Sequence, residues 1–112
     1  MAYDDLGPRT ASGVIDPTRN SGNWVVDFTP TIIASRLPLI ECYHIYLTGP
    51  AGSSFEILRN TDQWGTSPNG FRNEWDPVQP LPLRSGDTVS FFWSTNVGPA
   101  PQVTMWLRTE QS

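Results

Sequence analysis

His44 and Cys42 are the single histidine and the single cysteine of this chain, two residues apart, and Met105 lies in a later apolar run. Together they invite comparison with a blue-copper centre. Such a centre needs two histidines and a cysteine in trigonal array, so one histidine cannot build it. A Ser-His-Asp triad would also have to use His44, which sits within an alternating apolar run, and no glycine-flanked serine stands out as its nucleophile. A core or interface histidine is the plainer account. Glu74 and Asp76 flank Trp75, and paired carboxylates are the machinery of glycoside hydrolysis. Their neighbours Arg72, Asn73 and Pro77 read instead as turn chemistry. No glycine-rich phosphate loop, metal-ligand spacing or nucleotide fingerprint is present. The expectation is a non-enzymatic chain with no catalytic residue, metal or cofactor.

The aromatic residues carry a stronger signal. Five tryptophans in 112 residues exceed what one small core accommodates. Trp24 and Trp93 fall at core-facing positions, which leaves Trp64, Trp75 and Trp106 as candidates for a contact surface. Tryptophan joins a large apolar face to one donor and is enriched at binding hot spots. Stacking on sugar rings is an alternative use, and plugging an end of the domain is the purely structural one.

The elements that must position these residues are strands. In residues 88–94, Val89, Phe91 and Trp93 share one face; in 103–108, Val103, Met105 and Leu107 do the same. A period of two marks strands with one face in a core. The Gly- and Pro-rich stretch 95–101 cannot continue either of them, and 87–108 as a whole reads as a β-hairpin. Its other face, with Ser90, Phe92, Thr104 and Trp106, is apolar enough to expect cover from an N-terminal arm or a second subunit. Residues 24–28 alternate in the same way. The strongest strand spans 41–48, with Tyr43, Ile45 and Leu47 on one face and Cys42, His44, Tyr46 and Thr48 on the other. The turn Gly49-Pro50-Ala51-Gly52 leads into residues 54–59 and reads as a second hairpin. Residues 60–82 hold turn chemistry and are read as irregular. Seven or eight short strands without helical period predict an all-β chain: a single antiparallel β-sandwich or jelly roll over residues 23–112. Residues 1–22, punctuated by Gly-Pro, Ser-Gly and Asp-Pro steps and poor in large aliphatics, read as an extended N-terminal arm that orders on a partner or stays loose.

Composition narrows the partners. At 112 residues one domain can bury roughly two-thirds of its unfolded surface. One cysteine rules out an intrachain disulfide. The net charge is −4 and all seven basic residues are arginines spaced singly along the chain, whereas phosphate-backbone binding depends on clustered positive charge. Nucleic acid is therefore not an expected partner. The acidic start lacks the basic and apolar run of a signal peptide. No apolar stretch approaches the roughly 18 residues that span a bilayer, so synthesis in the cytoplasm without a membrane partner is expected.

Four segments carry a resemblance: Tyr43-His44-Ile45-Tyr46-Leu47-Thr48-Gly49-Pro50, Asn73-Glu74-Trp75-Asp76-Pro77-Val78-Gln79-Pro80, Leu83-Arg84-Ser85-Gly86-Asp87-Thr88-Val89 and Val103-Thr104-Met105-Trp106-Leu107-Arg108. They resemble small β-rich virion structural proteins of tailed bacteriophages infecting actinobacteria. The similarity covers about residues 41–108 and consists of strands and turns. It implies a capsid decoration protein on the virion exterior, made in the host cytoplasm, that cements major capsid protein subunits and contacts copies of itself, with a homotrimer as one arrangement. A tail location and a carbohydrate-binding module are the alternatives. The residues expected to touch a partner are Tyr3, Leu6, Arg9, Val14 and Ile15 of the arm, with Trp64, Trp75 and Trp106.

Overall fold

The computed structural model describes residues 3–29, 40–50, 53–66, 74–75, 81–84 and 86–110. Two antiparallel sheets pack face to face. Sheet A holds, in order, β1 (Tyr3–Ser12), β10 (Gln102–Glu110) and β4 (Ile40–Thr48), whose far edge takes both β7 (Glu74–Trp75) and β8 (Leu81–Leu83). Sheet B runs β2 (Val14–Ile15), β3 (Trp24–Phe28), β9 (Val89–Trp93), β5 (Phe55–Arg59) and β6 (Asp62–Thr66). The all-β sandwich that the strand periodicity predicts is the fold that forms. Among the described residues no helix is long and apolar enough to cross a membrane.

The core lies between the sheets. Val103, Met105, Leu107, Ile40, Ile45, Leu47 and Leu83 come from sheet A; Val26, Phe28, Phe55, Ile57, Val89, Phe91 and Trp93 come from sheet B, and all are buried. Phe91 is its hub, with ring centroids 6.1 Å from Phe28, 5.9 Å from Phe55 and 6.1 Å from Trp93. Burying each such side chain contributes about 1.5–3 kcal/mol.

Three expectations are corrected. Residues 87–108 are not a hairpin: β9 belongs to sheet B and β10 to sheet A, so residues 94–101 carry the chain across the core. The step from β4 to β5 crosses in the same way. Periodicity states which face of a strand is buried but not which strand lies beside it, and two apolar faces meet equally well across a core. The tight hairpin is instead β5–β6, closed by Asn60 and Thr61, with Asn60 at φ 60°. Asparagine is among the few non-glycine residues that adopt this geometry readily.

The second correction concerns β4. Trp106 pairs with His44 and Leu107 with Cys42, so Tyr43 is the extra residue of a β-bulge. A bulge puts two residues opposite one and shifts the alternation. Cys42 therefore points inward with Ile45 and Leu47, fully buried, while Tyr43 joins His44 and Tyr46 on the outer side.

The third concerns residues 1–22. Residues 3–12 form a full edge strand against β10, Val14 and Ile15 pair with Val25 and Trp24, and a turn at Asn20–Gly22 leads into β3. Gly7, Arg9 and Ala11 face Leu107, Met105 and Val103 across the ladder, and Leu6 is a bulge residue packed against the core. An edge strand is held mainly by ladder hydrogen bonds, which aliphatic content does not register. Pro8 fits because an edge strand needs ladder bonds on one side only.

The turn before β3 also covers sheet B. Arg19 grips Asp27 with both Nη atoms, at 2.9 and 3.0 Å, donates to Ser90 Oγ at 3.3 Å and lies 5.3 Å above the Phe92 ring. Ser90 Oγ donates to Asp27 at 2.8 Å. The expected cover for Ser90 and Phe92 thus comes from within the first 22 residues.

Burial works against the charged form of Asp27, but the hydrogen bonds from Arg19 and Ser90 and the nearby guanidinium outweigh it, and the carboxyl stays below its ordinary pKa. A lowered folded value means the ion pair adds stability above the unfolded pKa of about 3.9 and loses it as pH falls through the folded value. Urea midpoints measured from pH 6 to pH 2 are expected to fall at the acid end, and Asp27→Asn is expected to flatten that fall. A second prediction uses Gly13, whose amide donates to Pro101 O at 2.6 Å and where an added Cβ would stand 2.5 Å from Pro101 Cδ. Gly13→Ala is expected to cost about 1–3 kcal/mol through overpacking, read from the shift in the same urea midpoint.

Candidate functional site

The strand registers give the sandwich two unlike ends. At one end Ser12 and Thr48 pair with Gln102, Phe55 pairs with Trp93, and the Trp24 amide donates to Thr95 O at 3.0 Å. Residues 12–15, 48–50, 53–54 and 94–102 therefore converge, and none of them is charged. Val14, Ile15 and Val97 are 53%, 46% and 68% exposed there, three of the four large hydrophobic residues that are clearly exposed among the described residues. Half-buried Trp24 lies between, its Nε1 donating to Val97 O at 3.4 Å. A shallow hollow of about 390 Å³ opens beside Val97, floored by Pro50 and Ser53 and walled by Thr95 and Pro99. Gly98, at φ +86°, brings the loop so close to Pro50 that an added Cβ would stand 3.2 Å from the Pro50 Cβ.

The opposite end is charged. Asp5 pairs with Arg108, Arg108 with Glu41, and Arg59 with Asp62 along their ladders, and Arg84 and Asp87 flank the turn into β9. Arg108 Nε donates to Glu41 at 3.2 Å and its guanidinium lies 5.1 Å above the Tyr43 ring. Burial, then the Asp5 charge and a hydrogen bond to Asp5, raise the Tyr43 phenol above its ordinary pKa. His44 leans on Trp106 at 4.9 Å between centroids. Both sit on the outer face of sheet A with Tyr46, which is 37% exposed. Here the bulge at Tyr43 assembles a network that strict alternation would split between two faces.

The eight expected contact residues do not converge. Val14 and Ile15 lie together at the uncharged end. Leu6 is half-buried on the core, and Arg9 is half-buried with Nη1 donating to Leu6 O at 2.8 Å and Pro8 O at 3.2 Å. Trp64 packs against the core under the Arg59 guanidinium, 5.6 Å away. Trp106 is half-buried against His44. Tyr3 lies on β1 opposite Glu110 and Trp75 on β7 opposite Ile45. Of the carboxylate pair, Glu74 is exposed on β7 opposite Tyr46, and Asp76 lies outside the described residues. Among the described residues no three His, Cys, Asp or Glu side chains gather as a metal site would require. Val97 and Pro99 are not among the contacts that the sequence predicts. Their signal is an apolar residue in a long uncharged loop, the reverse of the usual surface turn.

Compared with protein-family models, with curated proteins and with solved structures, the chain matches none.

Cys42 is the remaining group with nucleophilic chemistry. Burial pushes its thiol pKa up to about 12, and Sγ lies 3.7 Å from the His44 carbonyl. The thiolate is the reactive form, so the folded protein is expected to resist a disulfide reagent such as DTNB at pH 8. Release of one equivalent of chromophore should follow only in denaturant, and a fast stoichiometric reaction in buffer would contradict the buried placement.

Proposed function

We propose that this chain is a non-enzymatic virion structural protein, a capsid decoration protein that binds the major capsid protein shell through its uncharged end. The observation that carries the reading is the concentration of exposed Val14, Ile15 and Val97 at an end where residues 12–15, 48–50, 53–54 and 94–102 carry no charge and Asp16, next to Ile15, is the charged neighbour. Exposed apolar surface rimmed by uncharged polar groups favours association with another protein, and depletion of charge is typical of interface centres. The resemblance of residues 41–108 to phage virion proteins supplies the partner. The strand order supports a jelly-roll reading: the chain changes sheet between β1 and β2, β3 and β4, β4 and β5, β6 and β7, β8 and β9, and β9 and β10.

Sugar binding has less support. Trp64 lies under Arg59 and Trp106 against His44, so each ring is already engaged by a neighbouring side chain.

Deleting residues 2–21 would remove β1 and β2 and report on folding rather than on contact. Point changes at exposed positions separate the two. Val14→Asp combined with Val97→Asp is expected to leave the far-ultraviolet circular dichroism and melting temperature close to wild type. Co-sedimentation with undecorated capsids should weaken at least about tenfold, since burying each valine contributes on the order of 1.5 kcal/mol or more. Undiminished co-sedimentation by the folded double variant would overturn the reading.

A further inference from the structure

A second site lies at the charged end. Arg59, Asn60, Pro82, Arg84 and Asp87 line a cavity of about 460 Å³ where the β5–β6 turn meets the turn before β9. The donors and acceptors of its wall can be traced one by one. Asp87 Oδ2 accepts from the Arg84 amide at 2.9 Å, and Oδ1 accepts from Asn60 Nδ2 at 3.3 Å. Asn60 Oδ1 accepts from the Thr88 amide at 3.2 Å, and the Asn60 amide donates to Thr88 O at 2.8 Å. Pro82 O accepts from Arg59 Nη1 at 2.8 Å. Every one of these acceptors is engaged by the protein itself.

What remains is donors. Arg59 Nη1 is held by Pro82 O and its guanidinium by the Trp64 ring at 5.6 Å, so the group is fixed in place while its other N–H groups have no acceptor among the described residues. Arg84 makes no side-chain ion pair among the described residues. Among the lining residues two arginines stand against one carboxylate, an excess of one positive charge, and Asp62, across the β5–β6 ladder from Arg59, forms no ion pair with it. The doubled hydrogen bonding between Asn60 and Thr88 locks the wall, with Asn60 held at φ 60°. This arrangement contrasts with Arg19 and Arg108, each of which already holds a carboxylate.

We propose that this cavity binds a carboxylate, held by the guanidinium forks of Arg59 and Arg84. A fixed guanidinium with open N–H groups matches two carboxylate oxygens bidentately, and holding it in place beforehand reduces the ordering cost of binding. The same chemistry is offered by an acidic side chain of a protein partner and by a small free carboxylate.

The test is a titration of the ¹⁵N-labelled full chain, followed by NMR, with sodium acetate and separately with the blocked dipeptide acetyl-Glu-Glu-amide, at constant ionic strength. Saturable shifts are expected at the amides of Asn60, Arg84, Asp87 and Thr88 and at the Trp64 indole. Arg84→Gln, at an exposed position, should fold normally and weaken the response at least about tenfold, whereas Arg84→Lys, which keeps charge but not the fork, should fall between. A tighter response to the dipeptide than to acetate assigns the site to an acidic protein segment; equal responses assign it to a small carboxylate. Shifts that do not saturate, or that persist unchanged in Arg84→Gln, would overturn the proposal.

Discussion

Strand β10 is paired along both edges, with β1 on one side and β4 on the other, and sheet A depends on this double ladder. Both neighbours carry a bulge at the same level of β10, Leu6 in β1 and Tyr43 in β4. A bulge increases local twist and bends the strand that bears it. With one on each flank, the sheet turns at Leu107 without breaking the inward row Val103, Met105, Leu107. The extra residues have opposite fates. Leu6 folds down onto the core, while Tyr43 turns outward and meets Arg108 and Asp5. The charged network at that end is thus a consequence of register.

Sheet B is organised around a polar contact in place of a second layer. Arg19, Asp27 and Ser90 form a closed triangle of hydrogen bonds over its outer face, and the Arg19 guanidinium lies over the Phe92 ring. Arginine suits this position because its alkyl stem covers apolar surface while the fork satisfies both carboxylate oxygens. Val25 is fully buried although it points away from the sandwich core. The chain therefore carries a small satellite interior on sheet B, and sheet A keeps its outer aromatic residues half-exposed.

Much of this fold could be read from sequence. The inward rows of β3, β5, β9 and β10 follow directly from alternation, because side chains on successive residues of a strand must point to opposite faces. Neighbour relations could not be read. Val89, Phe91 and Trp93 face Val103, Met105 and Leu107 across the core, and no local pattern separates that from lying side by side. The Tyr43 bulge was hidden for a related reason: Cys42 and Tyr43 are both acceptable inside, so the run 41–48 fits either phase. Residues 3–12 read as an arm that stays loose or orders on a partner because composition measures apolar area, and an edge strand needs little of it. At the candidate site, Val14 and Ile15 stood out as aliphatics in polar company. Val97 was obscured by the glycine and prolines around it, which signal a turn but not its exposure.

The two ends of the sandwich are joined by rigid strands, and this fixes how their properties combine. Phe55 begins β5 at the uncharged end and Arg59 closes it at the cavity, a separation of about 13 Å at roughly 3.3 Å per residue. That exceeds the Debye length of about 8 Å at physiological ionic strength, so the arginine charges are largely screened from the rim around Val97. It also exceeds the roughly 7–10 Å beyond which sites without shared partners act additively. A partner that buries Val14, Ile15 and Val97 leaves Arg59 and Arg84 as they were, and a carboxylate in the cavity leaves the apolar rim as it was. Apolar contact is non-directional, whereas a guanidinium fork recognises one geometry. If both proposed contacts form, the molecule has a built-in orientation: affinity would come from the uncharged end, and the charged end would select what approaches from the far side.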